Sequence, residues 1–470
     1  MAPFKVIIIG SGLAGNLLAN GLINNNVDVE VYERLARDAK REGYQIRLGE
    51  NALIGLRACL TPERKQAIIT KFGRSNGKFA AAPIMYNGNF EQTLDLNRFP
   101  NYEKSAAISR KILRDLLAEP VDEAGRLFYG KGIKDYSVIN AGADNEKVRV
   151  RFEDNSTSDC DILIAADGAH SKINGLIGLD NLITLTSHMS FLAKSDLPTE
   201  SYLRGDKVFW RAPIGVLWGK RAMYYCAYLP DQVRLNADTA DSGDAKQLPQ
   251  YDQSISSCFF AYAAPVGEVP DDIKGWSTEQ QWKWIERDMG AHWCTKYHRT
   301  TSQEIAQLLH GAELYIYQGR VSQRPSAKWR QNVQNESIPE RGHPRVLLIG
   351  DSIHAMMPSL GMGGNQAMRD TATLLPILVQ LNEKAKSGIV GRTDVETACR
   401  EYEKEMMPRA FGWVDRSGGT TAFSEDPSTW TGWLKLKWIG VLLDIAYNVQ
   451  RLTSLFYTPV YTGDAPEFQG

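Results

Sequence analysis

Val6-Ile7-Ile8-Ile9-Gly10-Ser11-Gly12-Leu13-Ala14-Gly15 is the stretch that decides the fold. Four consecutive β-branched apolar residues read as a strand buried on both faces, as in a parallel sheet covered by helices. The glycines that follow are spaced GxGxxG, and the segment from Asn16 to Leu22 is helix-compatible. Val27-Asp28-Val29-Glu30-Val31-Tyr32 then alternates as a second strand and ends at Glu33. Strand, glycine turn, helix, strand and acid together make the βαβ unit that binds a dinucleotide. Gly10 permits the tight turn, Gly12 lets the backbone approach a pyrophosphate, and Gly15 lets the helix pack closely on the strand. Leu13 and Ala14 open that helix, whose N-terminus presents its positive end to phosphates. Glu33, eighteen residues past Gly15, is placed to accept hydrogen bonds from a ribose diol. The unit does not distinguish NAD from FAD.

Two later motifs narrow the choice. Val148, Val150 and Phe152 alternate with charged residues, and Asp154-Asn155-Ser156 marks a turn. A buried strand follows, Asp161-Ile162-Leu163-Ile164-Ala165, running into Ala166-Asp167-Gly168. Far along the chain, Arg345-Val346-Leu347-Leu348-Ile349 forms another buried strand that ends in Gly350-Asp351-Ser352-Ile353-His354. Pro358 and the cluster Gly361-Met362-Gly363-Gly364-Asn365 come next and open a helix expected from Gln366 to about Leu381, bent at Pro376. Glycines here let backbone amides approach a flat ring, and the helix N-terminus behind them can stabilise developing negative charge.

With these motifs the chain resembles the single-component FAD-dependent monooxygenases of the p-hydroxybenzoate hydroxylase-like superfamily, which includes fungal natural-product oxygenases. Arg110 in Ser109-Arg110-Lys111-Ile112-Leu113 matches that family's arginine at the start of a long helix. The resemblance implies that Glu33 binds the adenosine ribose and that Arg110 and the Gly43 to Arg47 segment lie along the FAD. It also implies that Asp351 bonds the ribityl chain, with Gly363 and Gly364 beside the pyrimidine end of the flavin and the Pro358 to Asn365 loop polarising the ring. Asp167 and Gly168 would lie near both FAD and a transiently bound NADPH or NADH. One departure stands out, because Ser171-Lys172-Ile173-Asn174 occupies the place where the family usually carries an arginine. By the same resemblance, the nicotinamide reduces FAD, O2 adds as a C4a-hydroperoxide, and its distal oxygen is transferred to the substrate.

Composition fits this reading. The chain has 470 residues, 43% of them hydrophobic, and carries 54 Lys+Arg against 55 Asp+Glu for a net charge of -1. Without an overall basic field, nucleic acid is not an expected partner. The six cysteines are scattered with no CxxC pair and no metal-ligand spacing, which points to a reduced, cytoplasmic chain with no metal site. No stretch is apolar for long enough to span a membrane. There is no HExxH, and the hard chemistry falls to the cofactor. His354 reads as a helix-turn histidine bonded to backbone rather than as an acid or base.

The middle of the chain is rich in aromatics, among them Phe209, Trp210, Trp218, Tyr224, Tyr225, Tyr228, Phe259, Phe260 and Tyr262, and suits a flat apolar substrate. Tyr224 and Tyr225 are the catalytic candidates, to orient a substrate hydroxyl, and Asp231 to Gln250 reads as an exposed loop. Trp282-Lys283-Trp284-Ile285 is similar to a flavin-halogenase signature, but Ile285 comes one residue early, Glu286 replaces the proline and the segment reads as helix. From Trp430 to Phe456 apolar residues recur at three- and four-residue spacing, as one amphipathic helix or a broken pair. Packing over the domains is its default role, with a dimer or peripheral membrane contact over 430–456 as the alternative.

The expected architecture is α/β. A Rossmann-type FAD domain is built from 1–72, 105–180 and 318–390, interleaved with a β-sheet substrate domain from 73–104 and 181–317, and 391–470 forms a helical C-terminal extension. The expected function is NAD(P)H- and O2-dependent hydroxylation or epoxidation of a medium-sized apolar or aromatic substrate, in secondary metabolism by resemblance. Oxidative rearrangement or Baeyer-Villiger-like insertion on the same flavin is the alternative enzyme reading. A non-catalytic flavin-fold ligand-binding protein is the alternative of a different class.

Overall fold

The structure is a computed structural model. It describes residues 3–39, 45–71, 84–87, 92–95, 106–198, 214–218, 220–228, 255–293, 309, 312–419 and 429–453. Gly43, Phe209, Trp210 and the 231–250 loop lie outside the described residues, as do the side chains of Trp218 and Tyr228.

The opening strand sits where its composition puts it. Lys5–Ile9 is the middle of a five-stranded parallel sheet ordered Val346–Leu348, Ile162–Ala165, Lys5–Ile9, Asp28–Glu33, Leu127–Tyr129. Val6 pairs with Ile162 on one side and Val29 on the other. Val6, Ile7 and Ile8 are fully buried, as a β-branched run covered on both faces should be. The expected hairpin pairs Lys147–Phe152 with Thr157–Cys160 and turns through Asn155 at φ +63°, a left-handed conformation that asparagine tolerates. It leads directly into Ile162–Ala165 and so delivers Asp167 to the carboxyl end of the sheet.

The second sheet has seven strands in the order Leu314–Tyr317, His188–Pro198, Ile255–Pro265, Arg221–Tyr228, Ile214–Trp218, Ile84–Tyr86, Gln92–Asp95. All neighbours are antiparallel except Ile214–Trp218 with Ile84–Tyr86. Period-two alternation divides its aromatics between two faces. Phe191, Tyr225, Phe260 and Tyr262 share a core with Trp282, Trp284 and Ile285 of the helix Thr278–His292, which starts at a Ser277–Gln280 capping box. The Trp282 indole N–H donates to the Ala312 carbonyl at 3.0 Å, and Arg221 grips Asp288 at 2.8 and 2.9 Å. The Trp282 to Ile285 segment is thus a core-forming piece of helix.

Helix Arg392–Arg416, beyond the expected boundary at 390, packs on the parallel sheet. Val395, Cys399, Tyr402, Met406 and Phe411 enter the same core as the parallel sheet, and the Tyr402 hydroxyl donates to the Leu348 carbonyl at 3.0 Å. Periodicity can reveal a helix but not the surface it packs on. Helix Gly363–Ser387 is longer at both ends than expected and continues through Pro376. Trp430–Thr453 is one helix, not a broken pair, and lies beside the edge strand Gln92–Asp95. Among the described residues no helix is long and apolar enough to cross a membrane.

Candidate functional site

The three glycine-bearing segments converge at the carboxyl ends of the parallel strands. Gly10 has φ +110°, and a Cβ there would stand 2.3 Å from the Ala166 carbonyl oxygen. The first turn therefore abuts the strand that carries Asp167. Gly12 caps helix Leu13–Asn24 without a side-chain hydrogen bond, and a Cβ there would meet no atom within 4 Å. Leading amides of a helix have no intrahelical acceptor, so this end offers donors and a positive dipole to an anion. Glu33 closes the unit. Its Oε2 accepts from the Ser11 amide at 3.0 Å and its Oε1 from the Leu35 amide at 2.9 Å. These two bonds hold the carboxylate beside the first glycine turn.

The second side of the crevice is the Gly350 to Asn365 segment. Gly350 sits at φ +61° against Ala367, where a Cβ would come 2.9 Å from the alanine methyl. Asp351 follows at the start of the short helix Asp351–His354 and is accessible along one edge. The protein around it pushes its carboxyl above the usual carboxylate range, against the pull of His354 and of Arg110, which opens helix Arg110–Glu123. Pro358 opens a one-turn 3-10 helix, and Gly361 follows at φ +65°. A Cβ at Gly363 would lie 3.7 Å from Asp351 Oδ1, and one at Gly364 would lie 3.8 Å from a Leu13 methyl. The glycine cluster thus faces Asp351 on one side and the first helix on the other. Gly43 is outside the described residues.

Asn365 ties the glycine cluster to a neighbouring strand. Its side chain is buried, its Nδ2 donates to the carbonyls of Arg47 at 2.8 Å and Gly361 at 3.0 Å, and its Oδ1 accepts from the Gly49 amide at 2.7 Å. It fastens the Arg47 strand to the glycine cluster through backbone groups.

Asp167 and Gly168 complete the assembly. Gly168 has φ +79° with open space beyond its Cα. Asp167 Oδ2 accepts from the Lys172 amide at 3.0 Å, while Oδ1 is buried without a hydrogen-bond partner among the described residues. Burial pushes this carboxyl upward. Asn174, the departure from the family arginine, is a neutral tie: its Nδ2 donates to Asn181 Oδ1 and to the Ser352 carbonyl, both at 2.8 Å. Asn181 in turn donates to the Ile353 carbonyl at 2.9 Å. Two asparagines therefore hold the helix that presents Asp351.

His354 corrects another expectation. Its Nε2 lies 2.7 Å from Asp370 Oδ2, not on backbone, and both side chains are fully buried. Asp370 also accepts from the Gly350 amide and from Arg409, each at 2.8 Å. Burial raises this carboxyl, but His354 and Arg409 outweigh it and hold it below the ordinary range. Asp370, Arg409 and Asn181 escaped the sequence reading. Gln366 and Asp370, four apart on an otherwise apolar helix face, were the available signal.

Of the two tyrosine candidates, Tyr225 has no exposed surface and belongs to the core under Thr278–His292, which takes it out of reach of a substrate. Tyr224 points to the opposite face, 37% exposed beside Phe259. Among the described residues no cluster of His, Cys, Asp and Glu could hold a metal ion.

Uncapped helix amides, a carboxylate at the ribose position, an unsatisfied buried acceptor at Asp167 and glycines open to the crevice all suit an extended adenine dinucleotide. The model of the FAD binding domain family matches residues 3–209 and 256–407. The chain belongs to this FAD-binding domain family. It is an FAD-dependent monooxygenase, an oxidoreductase. Among curated relatives it is 25% identical over 420 residues to the 3-amino-4-hydroxybenzoate 2-monooxygenase of Streptomyces cremeus, covering 86% of this chain and 84% of that one. It is also 25% identical to the chloroplastic zeaxanthin epoxidase of Nicotiana plumbaginifolia, again over 86% of this chain but spanning only 53% of that protein. HpxO of Klebsiella pneumoniae, solved with FAD and uric acid, superimposes with a TM-score of 0.57 at 18% identity, covering 89% of this chain and 88% of that one. At that identity the superposition speaks for a shared fold.

Proposed function

We propose that this flavoprotein uses NAD(P)H and O2 to hydroxylate or epoxidise a medium-sized, largely apolar or aromatic substrate. The observation that carries the reading is the meeting of Gly12, Asp351 and Gly363–Gly364 in one crevice beside a sheet whose face opposite helix Thr278–His292 bears Tyr224 and Phe259. Bound FAD supplies the redox chemistry, accepting hydride from the nicotinamide and passing electrons to O2. The chain itself binds, orients and excludes water. Glu33 accepts from the adenosine ribose, Asp351 from the ribityl hydroxyls, and Arg110 balances Asp351. The first-turn amides of helix Gly363–Ser387, which no side chain caps, would serve as donors to the flavin as charge develops on it. Tyr224 is the phenol available to orient a substrate hydroxyl.

His170 supports a place for the reductant. Its partial burial and the nearby cations Arg320 and Arg34 hold its imidazole below the usual range and so favour its neutral form, which leaves the two arginines as the cations suited to the phosphates of NAD(P)H. The two buried clusters support a flavin domain from 1–72, 105–180 and 318–390, extended through 416, and a substrate domain from 73–104 and 181–317. The relatives support a small organic substrate in secondary metabolism without fixing it, since one name carries an aminohydroxybenzoate and the other zeaxanthin. Purified protein should be yellow, with FAD reduced by NADPH under anaerobic conditions. With a panel of phenols, indoles and terpenoids, isotopically labelled O2 should leave one labelled atom in the product. A colourless protein that cannot be reconstituted with FAD ends this proposal.

A further inference from the structure

Helix Trp430–Thr453 carries a second apolar face that is exposed among the described residues. Gly432, Gly440 and Tyr447 are its least exposed described positions, and a Cβ at Gly440 would come 3.7 Å from the Thr93 carbonyl on the edge strand of the seven-stranded sheet. At 100° per residue the opposite side holds Trp430, Leu434 and Trp438, then Val441, Ile445 and Val449, then Leu452. Trp430 is 75% exposed, Trp438 60% and Leu452 61%. Aromatic and aliphatic side chains of this size in one unbroken exposed row mark an interaction surface rather than scattered surface residues.

We propose that this stripe docks on a lipid bilayer, with the helix lying in the headgroup plane. The spacing chooses a flat surface over a second helix. Steps of four, four and three repeat every eleven residues, about 3.67 per turn and close to the ~3.6 of a straight helix, so the stripe runs along one side for the whole length. A left-handed pair with a second copy of the chain would ask for a seven-residue repeat instead. Charge agrees. Lys435 and Lys437 flank the stripe on its two sides, and with Arg451 they outnumber the one carboxylate in the helix sequence, Asp444, in a chain whose net charge is -1. Local positive charge beside tryptophans is the composition of an interfacial helix on anionic lipid. Among the described residues no helix is long and apolar enough to cross the bilayer, so this helix rests on the membrane. Because it sits on the edge of the substrate sheet, docking would bring that sheet to the lipid surface from which an apolar substrate is drawn.

Co-flotation of the FAD-loaded full chain with vesicles of phosphatidylcholine, with and without phosphatidylserine, tests this. Binding is expected, stronger with phosphatidylserine and weakened by salt. Ile445→Glu should reduce the bound fraction on the order of tenfold while flavin content and turnover of a water-soluble substrate stay unchanged. Asp444→Lys should raise binding to the anionic vesicles, a gain that damage to the fold cannot produce. Absence of flotation with both vesicles overturns the proposal, as does indifference to either substitution. So does a concentration-dependent dimer that Ile445→Glu dissolves in the absence of lipid.

Discussion

Gly12 and Gly15 belong to one motif, yet the protein uses them in opposite ways. A Cβ at Gly15 would stand 2.1 Å from the Gly10 carbonyl oxygen, a backbone atom that cannot step aside, whereas one at Gly12 would meet no protein atom within 4 Å. Gly15→Ala should therefore destabilise the apoprotein by about 1–3 kcal/mol or more, as overpacking does. Gly12→Ala should leave apoprotein unfolding within about 0.5 kcal/mol of the parent and weaken FAD binding, because its methyl projects to the ligand side. Thermal melts of both apoproteins beside FAD titrations separate the two roles. Asp370 gives a second residue-scale expectation. Asp370→Asn leaves Arg409 buried with a weakened partner and removes the carboxylate bonded to His354, so chemical denaturation should show a loss of about 3–5 kcal/mol. Flavin should also leave faster, because the Gly350 amide that precedes Asp351 is bonded to the same carboxylate.

At the scale of elements, the site depends on ties between segments remote in sequence. Asn365 joins the Arg47 strand to the glycine cluster by three hydrogen bonds, so Asn365→Ala deprives three part-buried backbone groups of a partner and should cost about 1–3 kcal/mol in all. Stopped-flow dilution into a flavin scavenger should show faster FAD release, with substrate affinity of the loaded enzyme affected less. The glycine motifs were legible in the sequence because special backbone geometry demands one residue type. The ties of Asn174, Asn181 and Asn365 were not, because an asparagine reveals nothing of its partner until the chain has folded. Tyr224 and Tyr225 show the same limit. Alternation says that adjacent strand residues face opposite ways, but only the position of helix Thr278–His292 says which face is covered.

For the whole molecule, the order of strands in the parallel sheet follows from the βαβ rule once each buried strand is found. The second sheet was legible only as an aromatic-rich middle, since its register depends on pairings that cross the interleaved chain. The packing of helix Arg392–Arg416 into the first core was hidden for a related reason, its buried face being set by a surface that other segments build. That core also sets the response of the molecule to acid. His343 is buried beside Glu146 and Arg345, and burial brings its imidazole down to about 4 despite the pull of the Glu146 carboxylate. In the unfolded chain a histidine titrates near ~6.5. Between those values the unfolded state binds the extra proton, so stability should fall as pH is lowered from about 6.5 towards 4. Asp370 extends the loss further down. Its depressed carboxyl contributes stability that is present above the unfolded aspartate value and disappears as pH drops through the folded one. His343→Gln removes the first titration and leaves the second. Urea unfolding across that pH range should then show a shallower slope between about 6.5 and 4 in the variant, with both proteins still losing stability at lower pH. Parallel slopes would mean that His343 is not the group that takes up the proton.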